Sequence, residues 1–251
     1  MTSVVIVKDD LVFKFKRDLE SLNREWANVE RARSQIDNVA WHLPGGKLVM
    51  TSGLPHIEMP NYQRPRLAAS QDELFRIFTL GMRNNVTLEA CGIESSREYS
   101  LCLRLLEECL SPLDADLGGH LREILDEVVG HAELTVGIRH GDFRTPNIRE
   151  YQGTLILIDF EDFAINGISE FDLVDLWLER TQLSRNCFWI DCLNTALQSQ
   201  RERIQLFENH WMSRKTLTFY LMSRVASDMY SHSIAYSHSY IGRSLHRLLE
   251  Q

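Results

Sequence analysis

GIRHGDFRTPNIREYQGTLILIDFEDF, residues 137–163, is the stretch on which the fold and chemistry of this chain turn. Within it Asp142 is followed five residues later by Asn147, and twelve residues after that by Asp159, which closes the apolar run 154–160. A continuous apolar run of that length suits a buried strand. The spacing suits phosphoryl transfer: one carboxylate accepts or orients a hydroxyl proton, while an amide oxygen and a second carboxylate hold Mg²⁺ against nucleotide phosphates. Mg²⁺ takes few protein oxygens and completes its shell with phosphate and water. A strand end fixes the origin of Asp159, and a loop lets Asp142 and Asn147 converge on it. His140 joins the candidate catalytic group as a hydrogen-bonded histidine that braces the loop, because the proton-accepting task already belongs to Asp142. Arg144, beside the base, either binds a phosphate or an acidic substrate or pairs with Asp172.

Outward from this stretch, the N-terminal residues read as strands. Residues 3–7 are β-branched, Lys8-Asp9-Asp10 is a polar turn, and 11–16 alternates apolar and basic residues, which predicts a hairpin. From 18 to 33 the period changes: Leu19, Leu22, Trp26, Val29 and Ala32 recur at helical spacing. Two further strand-like pieces, 38–43 and 47–51, flank the turn Pro44-Gly45-Gly46. Residues 52–66 carry Pro55, Pro60 and Pro65 and read as a linker. Beyond it, helical patterns are expected at 70–82, 96–110, 121–131 and 173–182 and onward to the end, including 214–230, interrupted by strands at 134–138 and 154–160. The expected division is a small N-terminal lobe, 1–54, and a helical C-terminal lobe, 55–251, that carries a catalytic loop at 138–148 and a metal-binding strand end at 154–163.

Composition narrows the function classes. The 251 residues are 44% hydrophobic and 25% charged, enough to bury a core and unlike a disordered chain. A net charge of −8 argues against an electrostatic nucleic-acid binder, which needs a concentrated basic face. There is no apolar run long enough for a membrane span and no basic n-region before an apolar core, so a cytoplasmic protein is expected. Five cysteines without metal-ligand spacing read as core fillers.

HGDFRTPNI together with LIDFED resembles the aminoglycoside phosphotransferase and choline kinase group, the small-molecule branch of the protein-kinase-like fold. His140, Asp142, Asn147, Asp159 and Phe160 meet the His-x-Asp-x₄-Asn and Asp-Phe pattern in order, with HGD in place of HRD. FDLVDLW, 171–177, is similar to the group's acidic helix start. The resemblance implies an α+β, two-lobed fold and an enzyme that moves the γ-phosphoryl of ATP to a hydroxyl of a small molecule: an amino sugar, sugar or amino alcohol, for which the acidic balance suits a cationic acceptor. It implies Asp142 as base, Asn147 and Asp159 as Mg²⁺ ligands, Asp172 as a brace for the catalytic loop, and Glu161 or Asp162 as a supporting carboxylate or ligand of a second metal.

A kinase small lobe also needs a strand lysine on the phosphates, held by a helix glutamate. The strand 11–16 offers Lys14 and Lys16, which alternation puts on one face, and the helix offers Glu25 and Glu30. The resemblance favours Lys14 and Glu25, and it implies a hinge at Thr51–Leu54 that contacts adenine, so Lys14, Glu25, Thr51 and Leu54 form the expected nucleotide-binding set. The chain departs from the pattern in one respect. Only one strand precedes the lysine strand, and no glycine occurs before Gly45, so the first strand and its glycine-rich turn are missing. The alternatives are a chain that starts late, triphosphate covered by Lys8-Asp9-Asp10, or weak ATP binding. The rival function is a pseudokinase that senses nucleotide or binds a partner; use of GTP or nucleotidyl transfer also stays open.

Overall fold

The computed structural model describes residues 3–16, 18–36, 42–62, 92–110, 115–130, 134–199, 201–207 and 210–232. The chain divides into two compact units, Met1–Thr87 with Ile138–Ile165, and Leu88–Gly137 with Asn166–Gln251.

The first unit begins with strands β1 (Ser3–Lys8) and β2 (Leu11–Lys16), joined by the expected tight turn, in which Asp9 has φ of 53°. Helix α1 (Leu19–Gln35) follows. Asp18 caps it by accepting a 2.6 Å hydrogen bond from the Ser21 amide, satisfying one of the orphan donors of the first turn. Its buried stripe runs Ser21, Leu22, Glu25, Asn28, Val29 and Ala32, one face at helical spacing that carries two strongly polar side chains inward. Strands β3 (Lys47–Thr51) and β4 (Leu54–Pro60) complete an antiparallel sheet of order β1-β2-β4-β3.

The proline-bearing stretch after residue 51, expected as a linker, is therefore in part an inner strand. Pro55 and Pro60 sit near its two ends, where a missing N–H disturbs the ladder least, and His56–Met59 carry the pairing between them. The β3–β4 turn is Ser52-Gly53 with φ of 51° and 80°, the left-handed pair that a two-residue hairpin favours. The sheet thus runs past residue 54. The segment 138–165, expected with the helical part, belongs instead to the unit that contains this sheet. It includes the hairpin β6 (Ile148–Tyr151) and β7 (Thr154–Leu157), turning at Gln152-Gly153 with φ of 51° and 78°. His42 bridges to it in parallel with Ile156. Of the strand expected at 38–43, His42 makes this single bridge, Leu43 lies in no strand, and 38–41 lie outside the described residues, as does the helix expected at 70–82.

In the second unit, helix α2 (Arg97–Leu105) is capped by Ser96, whose hydroxyl accepts from the Tyr99 amide, and continues through one π-helical turn to 110. Helix α3 (Ala115–Val129) starts ahead of the predicted 121 and runs through Gly118 and Gly119. The chain passes from this unit to the first within strand β5 (Val136–Arg139) and returns within strand β8 (Ala164–Ile168), the two forming a two-stranded sheet, and helix α4 (Glu170–Arg185) follows in the second unit. Its first half, Phe171–Leu178, is buried on every side. Phe171 meets Phe219 and Tyr220 edge-on at 5.3 and 5.2 Å, and Asp172 is fully buried. Helix α5 (Trp189–Gln198) and helix α6 (Arg214–His232) bracket an unpredicted hairpin, β9 (Arg203–Phe207) with β10 (His210–Ser213). Its signal is the alternation of exposed Arg203 and Gln205 with buried Ile204 and Leu206, a period of two inside a stretch expected to be helical. Among the described residues no helix is long and apolar enough to cross a membrane.

Candidate functional site

Alternation along β2 turns Lys14 and Lys16 to one face, and α1 presents Glu25 to both. Lys14 Nζ lies 2.8 Å from Glu25 Oε1 and 2.8 Å from Asp159 Oδ1. Lys16 Nζ lies 2.8 Å from Glu25 Oε2 and 2.8 Å from Glu161 Oε2. Glu25 takes one lysine on each oxygen, and of the two only Lys14 pairs with Asp159. Glu30, the other glutamate considered as a partner for the strand lysine, pairs with Arg33 on the exposed side of α1. Burial alone would push Lys14 below its ordinary value, but the carboxylates of Asp159 and Glu25 outweigh it and hold the ammonium above that value. Burial likewise acts to raise Asp159, and the Lys14 ammonium, by charge and hydrogen bond, overcomes it and holds the carboxyl low. Asp159 is therefore an ionised carboxylate at neutral pH.

Asp159 does not lie in the strand. β7 ends at Leu157, and Asp159 takes φ of 68°, a left-handed conformation that few non-glycine residues adopt and that aspartate tolerates better than most. The turn is held by Asn28, whose side-chain amide donates to the carbonyls of Phe160 at 2.9 Å and Glu161 at 3.0 Å. Asn28 was not singled out from the sequence. Its signal is position, one helical turn beyond Glu25 on the same buried stripe.

The loop before it is built on Gly141, with φ of 89°. A Cβ there would stand 2.6 Å from both the Cβ and the carbonyl oxygen of Asp162, so the middle position of HGD has no room for a side chain. His140 is buried. Its Nδ1 accepts from the Asp142 amide at 3.3 Å, which leaves Nε2–H to donate to the Ile158 carbonyl at 2.9 Å. Its ring stands edge-on to Phe160 at 4.8 Å. Both ring nitrogens are thus engaged, in hydrogen bonds that tie His140 to the Asp142 amide and the Ile158 carbonyl. Asp142 receives the Arg144 guanidinium on both oxygens, Nε to Oδ1 at 2.6 Å and Nη2 to Oδ2 at 2.7 Å. Asn147 Nδ2 donates to Asp142 Oδ2 at 2.9 Å and to its carbonyl at 2.8 Å.

A cleft of about 360 Å³ opens in this unit, walled by Val5, Val7, Val12, Met59 and Tyr62, with Lys14, Glu25, Asn147 and Asp159 supplying its polar side. Four predicted residues thus share one cleft, and Asn147 ties Asp142 to it. Thr51 and Leu54 do not join them. They flank the β3–β4 turn on exposed backbone, with Leu54 62% exposed, so the hinge expected there is a hairpin tip. Carboxylate oxygens of Glu25, Asp159 and Glu161 lie within 4.8 Å of one another. Glu161 faces two cations, Lys16 and, at 3.8 Å, Arg24, and it is absent from the cleft lining. For a divalent cation the hard-oxygen donors that the cleft lining offers include the carboxylate of Asp159 and the side-chain amide oxygen of Asn147.

At the level of sequence, no family profile and no curated protein matches the chain. Solved structures do match. A GDP complex of wild-type aminoglycoside 2′-phosphotransferase-IIIa aligns over 99% of this chain and 88% of its own, with a TM-score of 0.57 at 18% identity. The fold is that of the aminoglycoside phosphotransferases. A thermostable aminoglycoside phosphotransferase APH(4)-Ia mutant, in ternary complex with AMP-PNP and hygromycin B, aligns over 99% of this chain and 93% of its own (TM-score 0.54, 8% identity). A choline/ethanolamine kinase family protein from Mesorhizobium loti aligns over 100% and 83% (TM-score 0.51, 11% identity). The α+β, protein-kinase-like architecture read from HGDFRTPNI and LIDFED is therefore the architecture of the chain, with a small antiparallel sheet in its N-terminal part and a mainly helical C-terminal part.

Proposed function

We propose that this protein is an ATP-dependent phosphotransferase that moves the γ-phosphoryl group to a hydroxyl of a small molecule, an amino sugar, a sugar or an amino alcohol. The observation that carries the proposal is the convergence of Lys14, Glu25, Asn147 and Asp159 on one cleft, with Asp142 tied to it through Asn147. Phosphoryl transfer asks little covalent chemistry of a protein and much positioning and charge neutralisation, and this set supplies both. Glu25 holds Lys14 toward the cleft, where its ammonium meets phosphate oxygens. Asp159 and Asn147 would hold Mg²⁺, which neutralises charge on the phosphates. Asp142 orients the acceptor hydroxyl and takes its proton. An incoming hydroxyl competes with the Arg144 fork for an Asp142 oxygen, and the released guanidinium can then meet the transferring phosphoryl group. The apolar walls formed by Val5, Val7, Val12 and Met59 suit the face of a purine base. Relatives in fold hold GDP in one case and AMP-PNP with an aminoglycoside in another, which supports a nucleotide and a hydroxyl-rich acceptor here.

Thermal melting with and without Mg·ATP and Mg·GTP, followed by a screen of hydroxyl acceptors for the mass gain of one phosphate, tests this reading. A nucleotide at a hundredfold excess over its Kd stabilises by about 2.7 kcal/mol. Asp142→Ala is expected to abolish transfer and keep the nucleotide-induced shift. A shift with no acceptor phosphorylated, in a wild type that also fails to hydrolyse ATP, would favour the nucleotide-sensing pseudokinase, a reading supported by Arg144 occupying both Asp142 oxygens. No shift at millimolar Mg·nucleotide would overturn both.

A further inference from the structure

In the second unit, far along the sequence from the cleft residues, two cysteines meet. Cys187 and Cys192 Sγ atoms lie 2.8 Å apart, within reach of bond formation after a small adjustment. The local sequence explains why. Asn186 takes the left-handed conformation, φ 50° and ψ 47°, and ends α4. Phe188 is the N-cap of α5, with its carbonyl accepting from the amides of Asp191 at 3.0 Å and Cys192 at 3.2 Å. Cys187 therefore holds the position just before the cap and Cys192 the fourth helical position, the two places whose side chains pack together at a helix entry. Ordinary apolar residues would do for packing; this chain has a thiol at both.

The two sulfurs differ in access. Cys192 is 2% exposed, while Cys187 is only half-buried. Burial, reinforced by the neighbouring Cys187 sulfur, pushes the Cys192 thiol up to about 12. Cys102, fully buried in the same unit, has no such partner in reach among the described residues.

We propose that Cys187 and Cys192 form a redox-modification site that closes to an intramolecular disulfide by exchange with a low-molecular-weight disulfide such as oxidised glutathione. Cys187, as thiolate, attacks one sulfur of glutathione disulfide, breaking its S–S bond and releasing one glutathione thiolate, which takes up the proton that Cys187 lost. Cys192 then gives up its proton and attacks Cys187 Sγ in the mixed disulfide, and the second glutathione leaves as thiol. Two protein thiols are oxidised and one glutathione disulfide is reduced to two thiols. Reaction order follows access: the half-buried sulfur meets the reagent, and the buried one resolves the adduct. The closed form ties the left-handed end of α4 to the first turn of α5, around the 72% exposed Phe188.

The test uses the full-length protein, incubated with glutathione disulfide, alkylated and digested with trypsin. Cleavage after Arg185 and Arg201 leaves both cysteines on one peptide, 186–201, with no other cysteine. Wild type is expected to yield this peptide unalkylated and lighter by two hydrogens, and to recover both alkylation sites after reduction. Cys192→Ser is expected to stop at a glutathione adduct on Cys187, and Cys187→Ser to leave Cys192 unmodified. The proposal fails if wild type keeps two alkylatable thiols on 186–201, or if glutathione stays on Cys187 without resolving. It fails equally if Cys187→Ser takes up glutathione at Cys192 as fast as wild type reacts. Because Cys192 is buried and its serine variant can fail to fold, the wild-type and Cys187→Ser experiments decide the outcome without it.

Discussion

Replacing Glu25 by glutamine is the perturbation that separates a buried charge network from a surface ornament. The glutamate side chain is 4% exposed and divides its two oxygens between Lys14 and Lys16, whose side chains are 12% and 3% exposed. Glutamine keeps the volume, but it removes the charge and turns an N–H₂ toward one of the two ammonium groups, donor against donor. Lys14 then retains only Asp159, and Lys16 only Glu161, among the carboxylates that the structure pairs with them. Breaking a buried pair by removing one partner costs about 3–5 kcal/mol, because the other charge stays desolvated. For a chain of this length that is a fall in Tm of roughly 6–20 °C. The control lies on the same helix: Glu30, 52% exposed, pairs among the described residues with Arg33, and Glu30→Gln should cost no more than about 1 kcal/mol. Melting curves of both variants, each with and without Mg·ATP, read the result. Glu25→Gln should also lose most of the nucleotide-induced shift, since Lys14 is no longer held toward the cleft, whereas Glu30→Gln should keep it. Equal Tm values for the two variants, or an undiminished shift in Glu25→Gln, would refute the assignment of Glu25 as the anchor.

Two further outcomes follow from geometry already described. Gly141→Ala and Gly153→Ala both place a side chain on left-handed backbone, φ 89° and 78°, but only at 141 does the new Cβ meet neighbours, at 2.6 Å, while at 153 nothing lies within 4 Å. Gly153→Ala should cost about 1–2 kcal/mol, and Gly141→Ala clearly more, with loss of phosphate transfer; comparable Tm losses would mean that the Asp162 contact is unimportant. The second concerns pH. Asp159 is held below its ordinary 3.8, so its contribution is present above that value and lost as pH falls through its folded value; Lys14 is held above 10.5, so its contribution is complete below 10.5 and lost as pH rises through its folded value. The pair should therefore add a constant increment between roughly pH 5 and 9, and Asp159→Asn should flatten the acid limb of a Tm-against-pH profile; an unchanged acid limb would show that the pair does not titrate as described.

What was legible in the sequence was what chemistry forces into a short span of chain. Asp142 and Asn147 must share one loop, and the five-residue interval places their side chains in hydrogen-bond contact. Asp159 was legible for a related reason, a charged residue closing an apolar run, although the left-handed turn that aims it was not. Features set by partners distant in sequence were less accessible. Alternation could put Lys14 and Lys16 on one face but could not say that a single glutamate would bind both, because that depends on where α1 crosses β2. The resemblance implies a hinge at 51–54, where the chain instead turns between β3 and β4, and the proline-bearing stretch after it, which reads as a linker, holds a strand because in antiparallel pairing a proline near a strand end disturbs little. Asn28 makes the point most directly. Taken singly, a helix asparagine reads as a residue facing water, yet Glu25 and Asn28 share the buried stripe with Leu22, Val29 and Ala32, and a polar side chain on such a stripe must find a partner or carry the cost of its burial. Glu25 finds the lysines, and Asn28 finds the Phe160 and Glu161 carbonyls, so one helix face fixes both the lysine that faces the cleft and the turn that aims Asp159.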